Sequence, residues 1–241
     1  MLTCIAYPVF SSASAPLETR VQPDRIFIGA TYNGTDISVS GQVPAETEAV
    51  IRITGHEEDS RLKKKGQVMG ILWMNLGSVE FHNVPSVFIL YRSKQVDDQY
   101  DGKIGIGSVR KQADIVSEYQ DKDALFDEFV KLKQKSGLYS TVVNGIQYET
   151  GNNGVKSFSA TVKMPSALPQ GDYKLEVFAL ADEGITGYSQ KDLKVKQAGL
   201  PAFIATLAFD HGTLYGVLAV IVAVIAGLLT GTIFKGEKGA H

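Results

Sequence analysis

Residue types that do chemistry are sparse in this chain, and their spacing limits what they can do. The histidines are His56, His82, His211 and His241, and none stands three to five residues from another. A zinc site draws its N and S ligands at short, characteristic spacings, so each histidine reads as a surface residue and no metal is expected. The stretch from Asp97 to Ser108 invites a calcium test. Asp97, Asp101, Gly102 and Ile104 fall where an EF-hand wants positions one, five, six and eight. However, Gln99 replaces an acidic ligand, and Ser108 stands where the bidentate glutamate belongs. The segment therefore reads as a polar loop, with Ser108 capping the helix after it. Gly102, Gly105 and Gly107 match neither phosphate-binding nor dinucleotide-binding spacing and are expected to turn the backbone. No serine or cysteine is paired with a histidine by a recognisable signature. No catalytic residue and no cofactor is assigned, and the chain reads as a non-enzyme, although carboxylates distant in sequence could still meet in the fold.

The strongest charge cluster is Arg61, Lys63, Lys64 and Lys65, just before Gly66. Such a cluster can hold a small anion or an acidic partner. It can equally protect an edge strand from unwanted pairing. Trp73 nearby reads as core. With a net charge of −2, the chain as a whole gives no reason to expect nucleic-acid binding.

These residues must be positioned by a mainly β domain. "RIFIGATYNG" alternates and ends in Asn33-Gly34, a hairpin signal, and "TDISVSGQV" resumes with period two. "AVIRITG", "GQVMGILWMN", "SVEFHNV" and "SVFILYRS" follow at short intervals. Asn144-Gly145 marks a second expected hairpin, and "LPQGDYKLEVFAL" resembles the start of a final one. The pattern predicts an immunoglobulin-like β-sandwich over residues 16–198. It is interrupted at about 104–137 by a helical insertion. There "QADIVSEYQ" and "DKDALFDEFVKLKQKSG" have helical spacing, the latter with Asp121 or Asp123 at its start and Gly137 at its end.

Both ends differ in kind. Residues 1–15, "MLTCIAYPVFSSASA", carry a short apolar stretch and an Ala-x-Ala pattern, and are expected to be a signal segment. Cys4, the only cysteine, lies there, so the rest has no disulfide. Residues 199–213 form an expected amphipathic connector with Phe203, Ile204 and Leu207 at the membrane surface. Residues 214–234 follow without a charge, about 31 Å of helix and enough to cross a bilayer. Within that span Ala219, Ala223, Gly227 and Gly231 recur at every fourth position. This is the small-xxx-small pattern that lets helix backbones approach. It points to a partner helix, from a second copy or another integral membrane protein. The tail 235–241 carries Lys235 and Lys238 against Glu237, which predicts a cytoplasmic C-terminus and a large periplasmic domain.

Taken together, "IFIGATYNGTDISVSG", "RLKKKGQVMGILWMNLGSVEFHNVPSVFILY", "LKQKSGLY", "LPQGDYKLEVF" and "TLYGVLAVIVAVIAGLLTG" resemble a bacterial family of alphaproteobacterial-type transmembrane proteins. The resemblance implies a periplasmic domain on one C-terminal helix in the bacterial inner membrane. It also implies an accessory role, since genes of the family often neighbour sulfite/taurine-type exporters. It brings no catalytic residues. The expected function is a membrane-anchored periplasmic interaction or accessory subunit, possible neighbours including such an anion exporter. Two alternatives stand beside it: an anion-binding or sensing module using Arg61, Lys63, Lys64 and Lys65, and a structural subunit of a respiratory or redox membrane complex.

Overall fold

A computed structural model describes residues 15–68, 72–93, 98–151, 154–182 and 184–234. The expected signal segment, except Ala15, and the tail 235–241 lie outside them. Strands β1 (Ala15–Pro16), β2 (Thr19–Gln22), β3 (Arg25–Ile28), β4 (Thr35–Pro44), β5 (Glu48–Thr54), β6 (Glu57–Val68), β7 (Leu72–Pro85) and β8 (Phe88–Arg92) come first. A 3-10 turn (Asp98–Tyr100), α1 (Ile106–Gln112), β9 (Asp114–Val116) and α2 (Lys122–Lys135) follow. Then come β10 (Tyr139–Val143), β11 (Gln147–Thr150), β12 (Val155–Met164), β13 (Gly171–Ala181), β14 (Gly184–Gln197), α3 (Leu200–Asp210) and α4 (Gly212–Phe234). Strands hold 48% of the chain and helices 27%, so the protein is mainly β. The chain divides into two compact units, one of residues 1–26 and 32–196, the other of 27–31 and 197–241.

The first unit is built on three sheets. Sheet A runs β1-β14-β13-β5-β8-β10, sheet B runs β11-β12-β4-β2, and sheet C runs β6-β7-β9. Most ladders are antiparallel, but β1 on β14 and β10 on β8 are parallel. Sheets A and B are stitched together by side chains. The Ala49 amide donates to Tyr148 Oη at 2.9 Å, the Lys163 amide to Tyr91 Oη at 3.2 Å, and Lys156 Nζ meets Glu48 at 2.9 Å.

The central strands of sheet A are buried on both faces, and period-two alternation sorts their residues. Val50, Phe88, Leu90, Phe178 and Leu180 join one core with Val79 and Phe81 of β7, Ile115 of β9, Val109 of α1, and Phe126 and Phe129 of α2. The intervening Ile51, Ile53, Ile89, Leu175 and Val177 take the opposite face, toward which sheet B offers buried Ile37, Val39, Phe158 and Val162. Phe129 lies at the centre of the first core, stacked on Phe81 with ring centroids 4.5 Å apart and edge-on to Tyr139 at 5.9 Å. One ion pair sits on that face. Arg52 Nε lies 2.7 Å from Glu176 Oε2, with side chains 16% and 11% exposed. The same guanidinium donates to the carbonyls of Lys103 and Ile104, both at 3.3 Å, tying the insertion to the sheet.

Three local expectations change. Asn33-Gly34 does not close a hairpin, because β4 pairs with β2 and β12 rather than with β3. Asn144-Gly145 does not either: β10 lies in sheet A and β11 in sheet B. Both signals mark backbone turns, Gly34 at φ 90° and Asn144 at φ 62°, that carry the chain out of one ladder toward another. Part of "QADIVSEYQ" is strand rather than helix. Ile115 pairs with Phe81 and is buried, while Asp114 and Val116 on either side are exposed, so the open edge of β7 outweighs helical spacing.

Helix α2 starts and stops as expected, with Asp121 Oδ1 accepting from the Ala124 amide at 2.9 Å and Gly137 at φ 74°. Ser108 does not cap α1. It lies inside the helix and donates back to Gly105 O, while Asp101 Oδ2 accepts the Gly107 amide at 2.8 Å. On α2, Phe126 and Phe129 are buried but Leu132 is 52% exposed. Phe129→Ala should therefore cost about 3–5 kcal/mol, whereas Leu132→Ala should cost within about 0.5 kcal/mol. Chemical unfolding of the two variants side by side measures the difference.

Candidate functional site

The basic cluster lies on β6, and its geometry separates the charges. Lys63 is exposed and stands opposite Ser78. Arg61 stands opposite Glu80 and is paired with it, Nε to Oε1 at 3.2 Å. Lys64 and Lys65 stand opposite Gly77 and Asn75; their side chains lie outside the described residues. Of the four cations, Arg61 thus already has a carboxylate.

The neighbouring histidine is set among acids. His82 Nδ1 lies 3.1 Å from Asp59 Oδ2, and Nε2 lies 3.8 Å from Glu80 Oε2. The bond to Asp59 holds its pKa above the ordinary 6.5, with the charges of Asp59, Glu80 and Asp114 adding to it. Among the described residues, no group of three or more His, Cys, Asp or Glu side chains is placed to hold a metal ion.

One serine–histidine contact has no local signal in the sequence. Ser86 Oγ lies 3.4 Å from His56 Nδ1, and the Ser86 amide donates to His56 O at 2.8 Å. The residues are 30 apart and sit in separate strand connections. Ser86 is fully buried, at 0% exposed, so no substrate can reach its hydroxyl. The pair joins the β5–β6 and β7–β8 corners and is structural. The sequence also gave no sign of an apolar groove of about 540 Å³ between β6–β7 and α2, lined by Leu62, Val79, Tyr119, Leu125, Phe129 and Leu132.

In the second unit, α3 leads into α4 through His211, whose amide donates to Leu207 O at 3.2 Å and whose carbonyl accepts from the Tyr215 amide at 3.0 Å. Phe203 is 60% and Phe209 89% exposed, while Leu207 is half-buried. The connector helix is apolar around most of its circumference, so it is less one-sided than an amphipathic helix. In α4 the window Gly212–Thr232 is long and apolar enough to cross a membrane, and none of it is buried within the protein. Ala219, Ala223, Gly227 and Gly231 all lie on α4 and are exposed. A Cβ added at Gly227 or Gly231 would meet nothing within 4 Å. The Thr230 and Thr232 hydroxyls donate to carbonyls of the same helix, at 2.8 Å to Ala226 O and 2.8 Å to Leu229 O.

The His82 geometry fixes the sign of a pH effect. A folded pKa above the unfolded one gives stabilisation that is complete below 6.5 and is lost as pH rises through the raised value. NMR titration of His82 should show that raised value, and Asp59→Asn should bring it back toward 6.5.

Comparison with curated proteins finds no match. The profile of the family described as "Putative transmembrane protein" matches residues 16–236, nearly the whole chain and the same family that its sequence resembles, and the chain therefore belongs to that family.

Proposed function

We propose that this protein is a non-enzymatic, membrane-anchored interaction subunit. In this reading α4 spans the bacterial inner membrane, the β domain lies in the periplasm, and the tail with Lys235 and Lys238 lies in the cytoplasm. The partner is an integral membrane protein or a second copy of the chain, docked along Ala219, Ala223, Gly227 and Gly231. The anion exporter implied by the family resemblance is one such partner, and a respiratory or redox complex another.

The observation that carries this reading is the open small-residue face of α4. Lipid gains nothing from four small residues in line, whereas a second helix can approach closely along them. The anion-binding alternative has less support, because Arg61 is already engaged by Glu80.

The test uses full-length protein in mild detergent. Gly227→Leu adds a side chain where the chain itself has open space, so folding should be unaffected while close helix approach is blocked. The expected outcome is loss of a co-purifying membrane partner or of the dimer, with unchanged thermal unfolding of the β domain. Unchanged association would remove the ladder as the interface.

A further inference from the structure

One phenylalanine outside the anchor helix belongs to the same compact unit as that helix. Residues 27–31, the end of β3 and the chain just after it, group with 197–241. The Ala198 amide donates to Ile28 O at 2.9 Å, and Gly199, the next residue, is the N-cap of α3. Gly199 stands at φ 70°, a conformation that favours glycine, so the chain turns into α3 directly after that bond. Along β3, alternation buries Ile26 and leaves Phe27 60% exposed.

A single exposed phenylalanine is ordinary on a protein surface. This one stands one residue from the bond that ties β3 to the start of α3, and on α3 Phe203, Ile204 and Phe209 are exposed as well. Asp210, at the far end of α3, is its only charge. The 11 residues of α3 span about 16 Å, so its first turn lies within that distance of its last. His211, at φ −134° and ψ 50°, breaks the helical path before α4 begins. Helix α3 therefore does not prolong α4 as one straight rod, and its apolar surface stays within reach of the layer that α4 enters.

We propose that Phe27 is a membrane contact in its own right: its ring enters the interfacial layer of the bilayer beside α3, so that β3 as well as the connector holds to the lipid surface. Three arguments select lipid over a protein partner. Residues 27–31 and 197–209 carry no charge, so they offer a protein nothing to steer or fix its register. Lipid requires only apolar area, and phenylalanine is among the residues that interfacial segments bury. A bilayer is also the one surface that an anchor at α4 holds permanently at high effective concentration. The contact rests on α4 being the anchor, and its test separates the two claims.

The test uses the full-length chain reconstituted into phosphatidylcholine vesicles. Trp73, the only tryptophan, is replaced by Phe, and a reporter is introduced as Phe27→Trp or, separately, as Val222→Trp. Val222 is exposed on α4 and off the line of Ala219, Ala223 and Gly227, so it reports the anchor alone. Lipids brominated near the headgroup or near the chain end read depth. We expect Phe27→Trp to be quenched by bromines near the headgroup and shielded from aqueous acrylamide. Val222→Trp should be quenched most by bromines near the chain end. Bromolipid quenching at Val222→Trp, with Phe27→Trp open to acrylamide and untouched by bromolipid, would overturn the contact and leave the anchor standing. Resistance of Phe27→Trp to both quenchers would place the residue against protein and would also overturn it. No bromolipid quenching at Val222→Trp would remove the anchor, and the contact with it. A nitroxide on Phe27→Cys in a Cys4→Ser background repeats the depth reading with Trp73 in place.

Discussion

Everything in the first unit depends on sheet A being covered on both faces. A strand buried on one face needs only alternate apolar residues, but β5, β8 and β13 carry near-continuous apolar runs, such as Ala49-Val50-Ile51 and Val87-Phe88-Ile89-Leu90-Tyr91. Sheet B can satisfy only one set. The other set requires a second layer, which the chain supplies from two excursions: the β6–β7 hairpin between β5 and β8, and the α1–β9–α2 segment between β8 and β10. Neither excursion is an ornament on a finished sandwich. Without Phe81, Phe126 and Phe129, the face carrying Phe88, Leu90 and Phe178 would stand in water, at about 25 cal/mol per Å² of apolar surface.

The Arg52–Glu176 pair is the exception that organises this layer. The two residues are register partners on adjacent strands, facing the apolar core side, which is a costly place for charge. Their remaining polar capacity is used. Tyr188 Oη donates to Glu176 Oε1 at 3.0 Å, Arg52 donates to the carbonyls of Lys103 and Ile104, and its guanidinium lies 5.1 Å from the Phe178 ring centroid. Such a network contributes less net stability than apolar residues would, but it holds loop carbonyls at one position over the sheet. It thereby fixes where α1 begins.

The elements whose solvent is unambiguous were legible in the sequence. The apolar span, the α2 helix with its Asp121 cap and Gly137 stop, and the alternating strands all follow from local physics. What stayed hidden was set by tertiary choice. Asn-Gly supplies a turn but does not say whether the next strand returns to its neighbour, and at Asn33 and Asn144 it does not. Ile115 has helical spacing within its segment, yet the free edge of β7 was available to pair it. For the candidate site, the run Arg61–Lys65 looked like one cation cluster. Cross-strand register sets Arg61 opposite Glu80, a pairing that the run by itself does not announce. The groove under α2 and the Ser86–His56 contact join residues far apart in sequence, so no local pattern carried them.

The two units solve opposite problems. The first hides its apolar residues within itself. In the second, Leu214, Val217, Val220, Val222, Val224, Leu228 and Leu229 are each more than half exposed, and polar side chains such as Thr230 bond back to their own helix. In water such a helix would be penalised twice, by its apolar surface and by glycines that weaken it. Lipid removes the first penalty and tolerates the second. It does not explain why the small residues fall in line on one face, since acyl chains pack as well against a large side chain. The proposed second helix would explain it, because another rigid cylinder converts missing side chains into close backbone contact. In the function proposed above, the solvent for α4 is set by its large residues and its companion by its small ones.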